Sequence, residues 1–249
     1  YRSFISLVLM CCLVRWRGVA LATPYWLLQT SRGMIGFAGL LAYFYAVTQL
    51  PLATAVTLNY TSAIFLAFYL ALAGLRFKLR MVGALILGLC GVGLLLRPTL
   101  GDDQMVPSLI GLGSGMLAGM AYYNVRELGA RGEPEMRTVF YFSLVSSLCA
   151  SIWLLFSELH AVNLKNGLIL AGVGGFATVA QLAMTRAYTR GKTLMSAALA
   201  YSTVIFSSLF GMFFWGEILD LTAWSAIGLI VLSGVAATHF SRASPVEQD

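Results

Sequence analysis

Polar side chains that can form hydrogen bonds interrupt several strongly apolar stretches of this sequence. Asn59 and Tyr60 lie in "LNYTSAIFLAFY", Gln181 lies in a separate stretch, and Tyr201 lies in "LAYSTVIFSSLF". An amide in an apolar medium costs several kcal/mol, of order ~2–7, unless it finds a partner. That partner is either another helix or a bound molecule. We expect these four side chains to face a shared cavity for a small, partly apolar metabolite. Two further residues complete the predicted substrate site: Tyr43 and Ser202.

Three arginines, Arg32, Arg126 and Arg186, lie near the ends of the same apolar stretches. We expect them at a cytoplasmic mouth, where they orient the chain and extend their charged ends to the membrane surface. The alternative is that a guanidinium there attracts an anionic group of a substrate.

Other chemistries lack their residue patterns. The four cysteines have neither metal-ligand nor disulfide spacing, and His160 and His239 have no paired ligand. Gly111, Gly115 and Gly119 have no following Gly-Lys-Ser/Thr, so they predict close helix packing rather than phosphate binding. All acidic residues fall in loops or at helix ends. These patterns predict no metal, no cofactor and no enzymatic centre.

The elements that carry these residues are long apolar segments. The chain has 249 residues, of which 59% are hydrophobic and only 10% are charged. The apolar runs match the ~17 to 25 residues that a helix needs to cross a bilayer. A large soluble helical core is the alternative, but its helices would need polar faces. We predict an all-α membrane protein with nine spans: 3–14, 30–49, 52–74, 80–97, 107–125, 138–156, 167–187, 193–215 and 221–240.

Basic residues set the predicted orientation. Of 16 Lys and Arg residues, 13 lie at alternate junctions, and cytoplasmic loops are enriched in these residues. The C-terminus is therefore expected in the cytoplasm and residue 1 outside, in the inner membrane. A missing first helix is the economical explanation for that start. The net charge of +6 does not indicate nucleic-acid binding, because the basic residues lie at helix ends rather than on one face.

An internal repeat connects the two halves. Shifted by 141 positions, Gly33–Phe65 and Gly174–Phe206 share 9 of 33 residues without a gap, including Tyr60 with Tyr201. Five predicted helices separate equivalent elements, so the two copies run in opposite directions. Inverted repeats are typical of secondary transporters. We expect the first repeat at 1–100 and the second at 107–241.

Several segments resemble the EamA family of the drug/metabolite transporter superfamily: "SRGMIGFAGLLAYFYAVTQLPLATAVTLNYTSAIF", "GALILGLCGVGLLLRP", "TRAYTRGKTLMSAAL" and "WGEIL". The resemblance implies ten helices in two inverted five-helix halves and transport of amino acids, nucleosides or purines, cofactors or S-adenosylmethionine. Arg76 stands where the family often has Glu, whereas Glu217 fits. Ala63 and Val204 stand where a kinking proline is frequent, which puts a proline hinge in doubt.

Alternating-access transport of a small metabolite is therefore the leading hypothesis. A passive channel or facilitator is the first alternative, and a membrane-embedded enzyme is a weaker one. Replacing Tyr60 or Tyr201 with Ala should impair transport and leave the folded yield intact. The substrate, the direction, the coupling ion and assembly into a homodimer are left open.

Overall fold

The computed structural model describes residues 1–75, 78–97, 104–154, 164–216 and 219–242, which form helices joined by short connections. The expectations for Arg76, Glu217, His160, the 98–103 loop and the C-terminal tail lie outside these ranges. The helices are α1 Arg2–Arg17, α2 Trp26–Gln49, α3 Leu52–Tyr60, α4 Ser62–Leu72, α5 Leu79–Leu96, α6 Met105–Ala130, α7 Glu135–Leu154, α8 Leu164–Arg190, α9 Thr193–Ala200, α10 Ser202–Trp215 and α11 Leu221–Arg242.

Six helical segments are long and apolar enough to cross a membrane: Leu52–Leu72, Leu79–Leu96, Met105–Ala130, Gly167–Arg190, Thr193–Phe214 and Leu221–Phe240. Each overlaps a predicted span. Because these segments of the described part of the chain have the length and the composition of membrane spans, the protein is a helical membrane protein. The predicted spans over α1, α2 and α7 are not among them.

Local sequence explains where several helices end. Gly18 closes α1 in the left-handed conformation with φ 62°, and its amide is bonded to the Arg15 carbonyl. Gly216 closes α10 in the same way with φ 66°. Glycine adopts this conformation without the steric penalty of a Cβ atom. Pro51 precedes α3 in an extended conformation, as its fixed φ and missing amide hydrogen favour at a helix start.

The chain divides into two compact units. The first consists of residues 1–38 and 124–190, and the second of residues 39–123 and 191–249. In the first unit, Met10 and Val14 of α1 pack with Val139 of α7 in a fully buried cluster. Close approaches occur at two glycines. A Cβ at Gly33 would lie 2.8 Å from Val145 Cβ, and one at Gly174 would lie 2.5 Å from Ile5 Cγ2.

The second unit has α5 packed along α11. The Ser233 hydroxyl of α11 donates to the Ala84 carbonyl of α5 at 2.7 Å, and a Cβ at Gly91 would lie 2.8 Å from Ile230 Cγ1. On α6, a Cβ at Gly115 would lie 2.7 Å from the Leu58 carbonyl oxygen of α3. The glycines on α6 therefore allow backbone-to-backbone packing, as their four-residue spacing predicts.

Candidate functional site

Two helix breaks lie in the second unit. The predicted span 52–74 is divided at Thr61, and the predicted span 193–215 is divided at Tyr201. No proline stands at either break. The Thr61 hydroxyl donates to the Leu58 carbonyl at 2.5 Å, and the Ser202 hydroxyl donates to the Leu199 carbonyl at 2.7 Å. Each hydroxyl thus takes a backbone carbonyl three residues before it, an interaction that competes with the regular helical bond.

The side chains beside these breaks meet. The rings of Tyr60 and Tyr201 have centroids 5.7 Å apart at an interplanar angle of 71°, an edge-to-face contact. The Tyr201 hydroxyl lies 3.5 Å from the Tyr60 carbonyl oxygen, at the long limit for a donated hydrogen bond. Tyr201 is fully buried, whereas Tyr60 is only partly buried. Of the predicted site residues, these two are brought into direct contact.

The burial of Tyr201 depends on a glycine. A Cβ at Gly88 of α5 would lie 2.4 Å from Tyr201 Cδ2 and 2.5 Å from the Ser233 hydroxyl oxygen. These distances are far below van der Waals contact. The absence of a side chain at Gly88 therefore makes the space that the Tyr201 ring occupies.

Asn59 and Tyr43 lie in the same unit. The Asn59 amide donates to the Ser114 hydroxyl of α6 at 3.1 Å, and that hydroxyl donates to the Gly111 carbonyl at 2.6 Å. The Asn59 amide nitrogen thus has a helix-to-helix partner. Tyr43 is partly buried.

Ser202 lines a cavity of about 500 Å³ between α9, α10 and α11. Its other lining residues are mainly aliphatic, with Thr238 and His239 on α11 as polar members. Val231 and Val235 in its wall are 50% and 61% exposed, so the cavity opens on an apolar outer surface. Neither Tyr60 nor Tyr201 is in the wall.

Gln181 lies on α8 in the first unit, whose helices α7 and α8 both carry buried polar atoms. Its side-chain oxygen is inaccessible, and no donor reaches it from the residues that the structure describes. The same holds for three hydroxyl oxygens: Ser146 Oγ, Ser147 Oγ and Thr185 Oγ1. A buried polar atom without a protein partner loses free energy unless water or a ligand bonds to it. The interior of the first unit therefore offers several unused hydrogen-bonding groups.

The three predicted mouth arginines have different environments. Arg186 is exposed, and Arg126 forms an ion pair with Glu127 at 2.7 Å. Arg32 is only 3% exposed, and its guanidinium carbon lies 4.5 Å from the Phe142 ring centroid. The sequence left open whether such arginines extend to the surface, and Arg32 does not.

A buried carboxylate centre was missed by sequence reasoning. Glu133, between α6 and α7, is 7% exposed and accepts hydrogen bonds from Thr23 at 2.6 Å, Gln29 at 2.8 Å and Arg137 at 2.9 Å. Burial alone would raise the Glu133 pKa, but these donors and the Arg137 charge outweigh it and lower the pKa. Arg137 also donates to the Ala20 carbonyl at 2.7 Å. The centre therefore holds the α1–α2 connection against the start of α7.

Residues 106–238 match the model of a family described as the EamA-like transporter family. The chain is 31% identical over 245 residues to a protein named pseudopaline exporter CntI from Pseudomonas aeruginosa strain UCBPP-PA14, covering 97% of this chain and 85% of that one. It is 27% identical over 212 residues to an uncharacterized transporter of Helicobacter pylori strain J99, covering 82% and 70%. A solved structure titled "Crystal structure of protein" superposes with a TM-score of 0.82 at 19% identity, covering 97% of this chain and 86% of that one. At that identity, the superposition establishes a shared fold alone.

Proposed function

Because this chain belongs to the EamA-like transporter family, we propose that it is a secondary transporter with nine membrane-spanning helices in inverted repeats. It moves a small organic metabolite across the inner membrane by alternating access. The observation that carries this proposal is the pair of helix breaks in the second unit. They lie at Thr61 and Tyr201, within one residue of equivalence under the 141-residue shift.

The chemistry of the two breaks supports the repeat. The bond from Thr61 to Leu58 and the bond from Ser202 to Leu199 join residues that are equivalent under the same shift. Broken helices at equivalent places in two halves are typical of transporters whose binding site lies near the membrane midplane. Such a break leaves backbone groups that water or a substrate can bond.

Helix packing also supports the repeat. Under the 141-residue shift, the residues of α5 correspond in sequence to residues of α11. These two equivalent helices pack against each other. A two-fold axis relating the halves would pass between them. The shift also pairs Gly33 with Gly174, and each is a site of close helix approach.

The proposed substrate site includes Tyr60, Tyr201, Asn59 and Tyr43, which all belong to the second unit. Gln181 belongs to the first unit and stays a separate prediction. Aromatic faces and amide groups suit an amino acid, a nucleoside or purine, S-adenosylmethionine or a cofactor-like molecule better than a bulk anion. The relative from Pseudomonas aeruginosa is named an exporter, and we extend that direction to this chain.

The test is counterflow in proteoliposomes. Vesicles containing the purified protein are loaded with one unlabelled metabolite, and uptake of its labelled form is followed for amino acids, nucleosides and cofactors. A transporter gives transient accumulation above equilibrium that saturates with concentration. A channel gives equilibration without overshoot, and this would replace the proposal with the passive facilitator. A chemically altered product would favour a membrane enzyme.

A further inference from the structure

The side chain of Arg32 is buried in a space bordered by Phe142 and Gly36. Its guanidinium lies over the Phe142 ring, an arrangement in which the aromatic face attracts the cation. A Cβ at Gly36, one turn further along α2, would lie only 2.4 Å from Arg32 Nη1 and 3.1 Å from Phe142 Cε2. The missing side chain at Gly36 thus leaves the room that the guanidinium fills.

Unused polar atoms lie on the helix faces next to this arginine. Ser146 is one turn after Phe142 on α7 and shares its face. Its residue exposure is 1%, and its hydroxyl has no hydrogen-bond partner in the described part of the chain. Gln29 is three residues before Arg32 on α2 and is fully buried. Its amide nitrogen bonds Glu133 and Thr138, whereas the described residues give its side-chain oxygen no donor.

A guanidinium keeps its positive charge in a protein and presents a planar fork of donors that matches a carboxylate. Such bonds are about twice as strong as those between neutral groups. We propose that Arg32, held by Phe142 and Gly36 and assisted by the Ser146 hydroxyl, binds the carboxylate of a small organic acid during transport. This inference rests on the proposed transport function and names the chemical class of the cargo.

Ligand binding to purified protein in detergent tests this subsite. The probes are the proteinogenic L-amino acids, lactate and benzoate, each beside its carboxamide, and the readout is the rise in Tm with concentration. We expect at least one carboxylate to stabilise the wild type and its carboxamide to do so less. Arg32→Gln should weaken the apparent affinity for that carboxylate by about 10- to 100-fold, because a bond to a charged group is lost. Arg32→Lys should retain part of it.

Gly36→Ala provides a second variant in which the arginine remains but is displaced, and it should weaken carboxylate binding as well. Gly175→Ala is its control, because a Cβ there meets nothing within 4 Å. Arg17→Gln is the control for loss of charge, since Arg17 is exposed and lies 5.0 Å from the Trp16 ring centroid. Both controls should bind like the wild type.

Two results would overturn the subsite. One is that no carboxylate stabilises the wild type, and the other is that Arg32→Gln and Gly36→Ala bind a carboxylate unchanged. Counterflow separates this failure from failure of the transport proposal. Saturable exchange of neutral probes, unaffected by Arg32→Gln, would leave a transporter without this subsite. Absence of exchange by the wild-type protein with every probe would instead remove the transport function.

Discussion

The hydroxyl of Tyr201 lies 3.5 Å from the carbonyl oxygen of Tyr60, and the two rings meet edge to face. These residues are 141 positions apart in sequence and equivalent in the internal repeat. Each borders a helix break. The Tyr60–Tyr201 contact therefore joins equivalent residues of the two copies of the repeat within the second unit, as the packing of α5 on α11 joins equivalent helices.

Removal of the Tyr201 hydroxyl should slow transport. Tyr201→Phe retains the buried ring and loses the group that reaches the Tyr60 carbonyl, so we expect a roughly 2- to 10-fold lower initial rate of counterflow. Tyr141→Phe is a matched control, because its hydroxyl donates to the Leu21 carbonyl at 3.2 Å. Alanine at Tyr201 would also open a cavity, since this side chain is fully buried. A rate unchanged in Tyr201→Phe and in Tyr60→Ala would remove both residues from the site.

Gly88→Ala should destabilise the protein. The added methyl group would overlap Tyr201 and Ser233, and overpacking of this kind costs about 1–3 kcal/mol. Gly83→Ala on the same helix meets nothing within 4 Å and should gain about 0.5–1 kcal/mol. Thermal unfolding in detergent measures both variants. Equal Tm values would mean that Tyr201 does not need the space at Gly88.

The two helix breaks should respond alike to loss of their hydroxyls. Thr61→Val and Ser202→Ala each remove the hydroxyl's bond to a carbonyl three residues earlier. Because that bond competes with the regular helical bond, its removal favours a continuous helix. We expect each to lower the transport rate by roughly 3- to 10-fold with normal folded yield, since a bond of this kind contributes about 1 kcal/mol. Thr57→Val is the control, because its hydroxyl bonds the Ala53 carbonyl four residues earlier within an unbroken helix. If all three variants transport at the wild-type rate, the breaks have no role in the transport cycle.

Glu133 should stabilise the protein in a pH-dependent manner. Its pKa lies below the ordinary 4.5 in the folded state, so its contribution is fully present above that value. The contribution is lost as the pH falls below 4.5 and through the folded-state pKa. We expect Glu133→Gln to cost about 1–3 kcal/mol at pH 7 and less at acid pH. The Tm of wild type and variant measured from pH 7 downwards should converge. A difference independent of pH would exclude the carboxylate charge as its cause.

Cysteines introduced at positions 102 and 244 should be labelled from opposite sides of the membrane. In a background without Cys11, Cys12, Cys90 and Cys149, we expect Asp102→Cys to react with an impermeant thiol reagent from outside and Ser244→Cys from the cytoplasm. Both positions lie beyond the described residues, so only their predicted topology is tested. Labelling of both from the same side would contradict the inverted repeat.

Hydrophobic length and periodicity determined the helical membrane fold directly from sequence. A helix satisfies its own backbone hydrogen bonds, so an apolar run long enough to cross lipid identifies the element without reference to the rest of the chain. The equivalence of Tyr60 and Tyr201 was also available from sequence, since it needs only a comparison of the chain with itself. The breaks at Thr61 and Tyr201 were not, because Thr and Ser accept regular helices in other contexts, as Thr57 does.

Only the tertiary structure decided what each polar side chain bonds. Arg32, Arg126 and Arg186 look alike in sequence, yet only Arg32 is buried, because Gly36 and Phe142 provide a space for its guanidinium. Glu133 looked like a loop residue, and its donor Thr23 is 110 positions away. Burial and pairing depend on which distant segments pack together, and no local pattern encodes that choice.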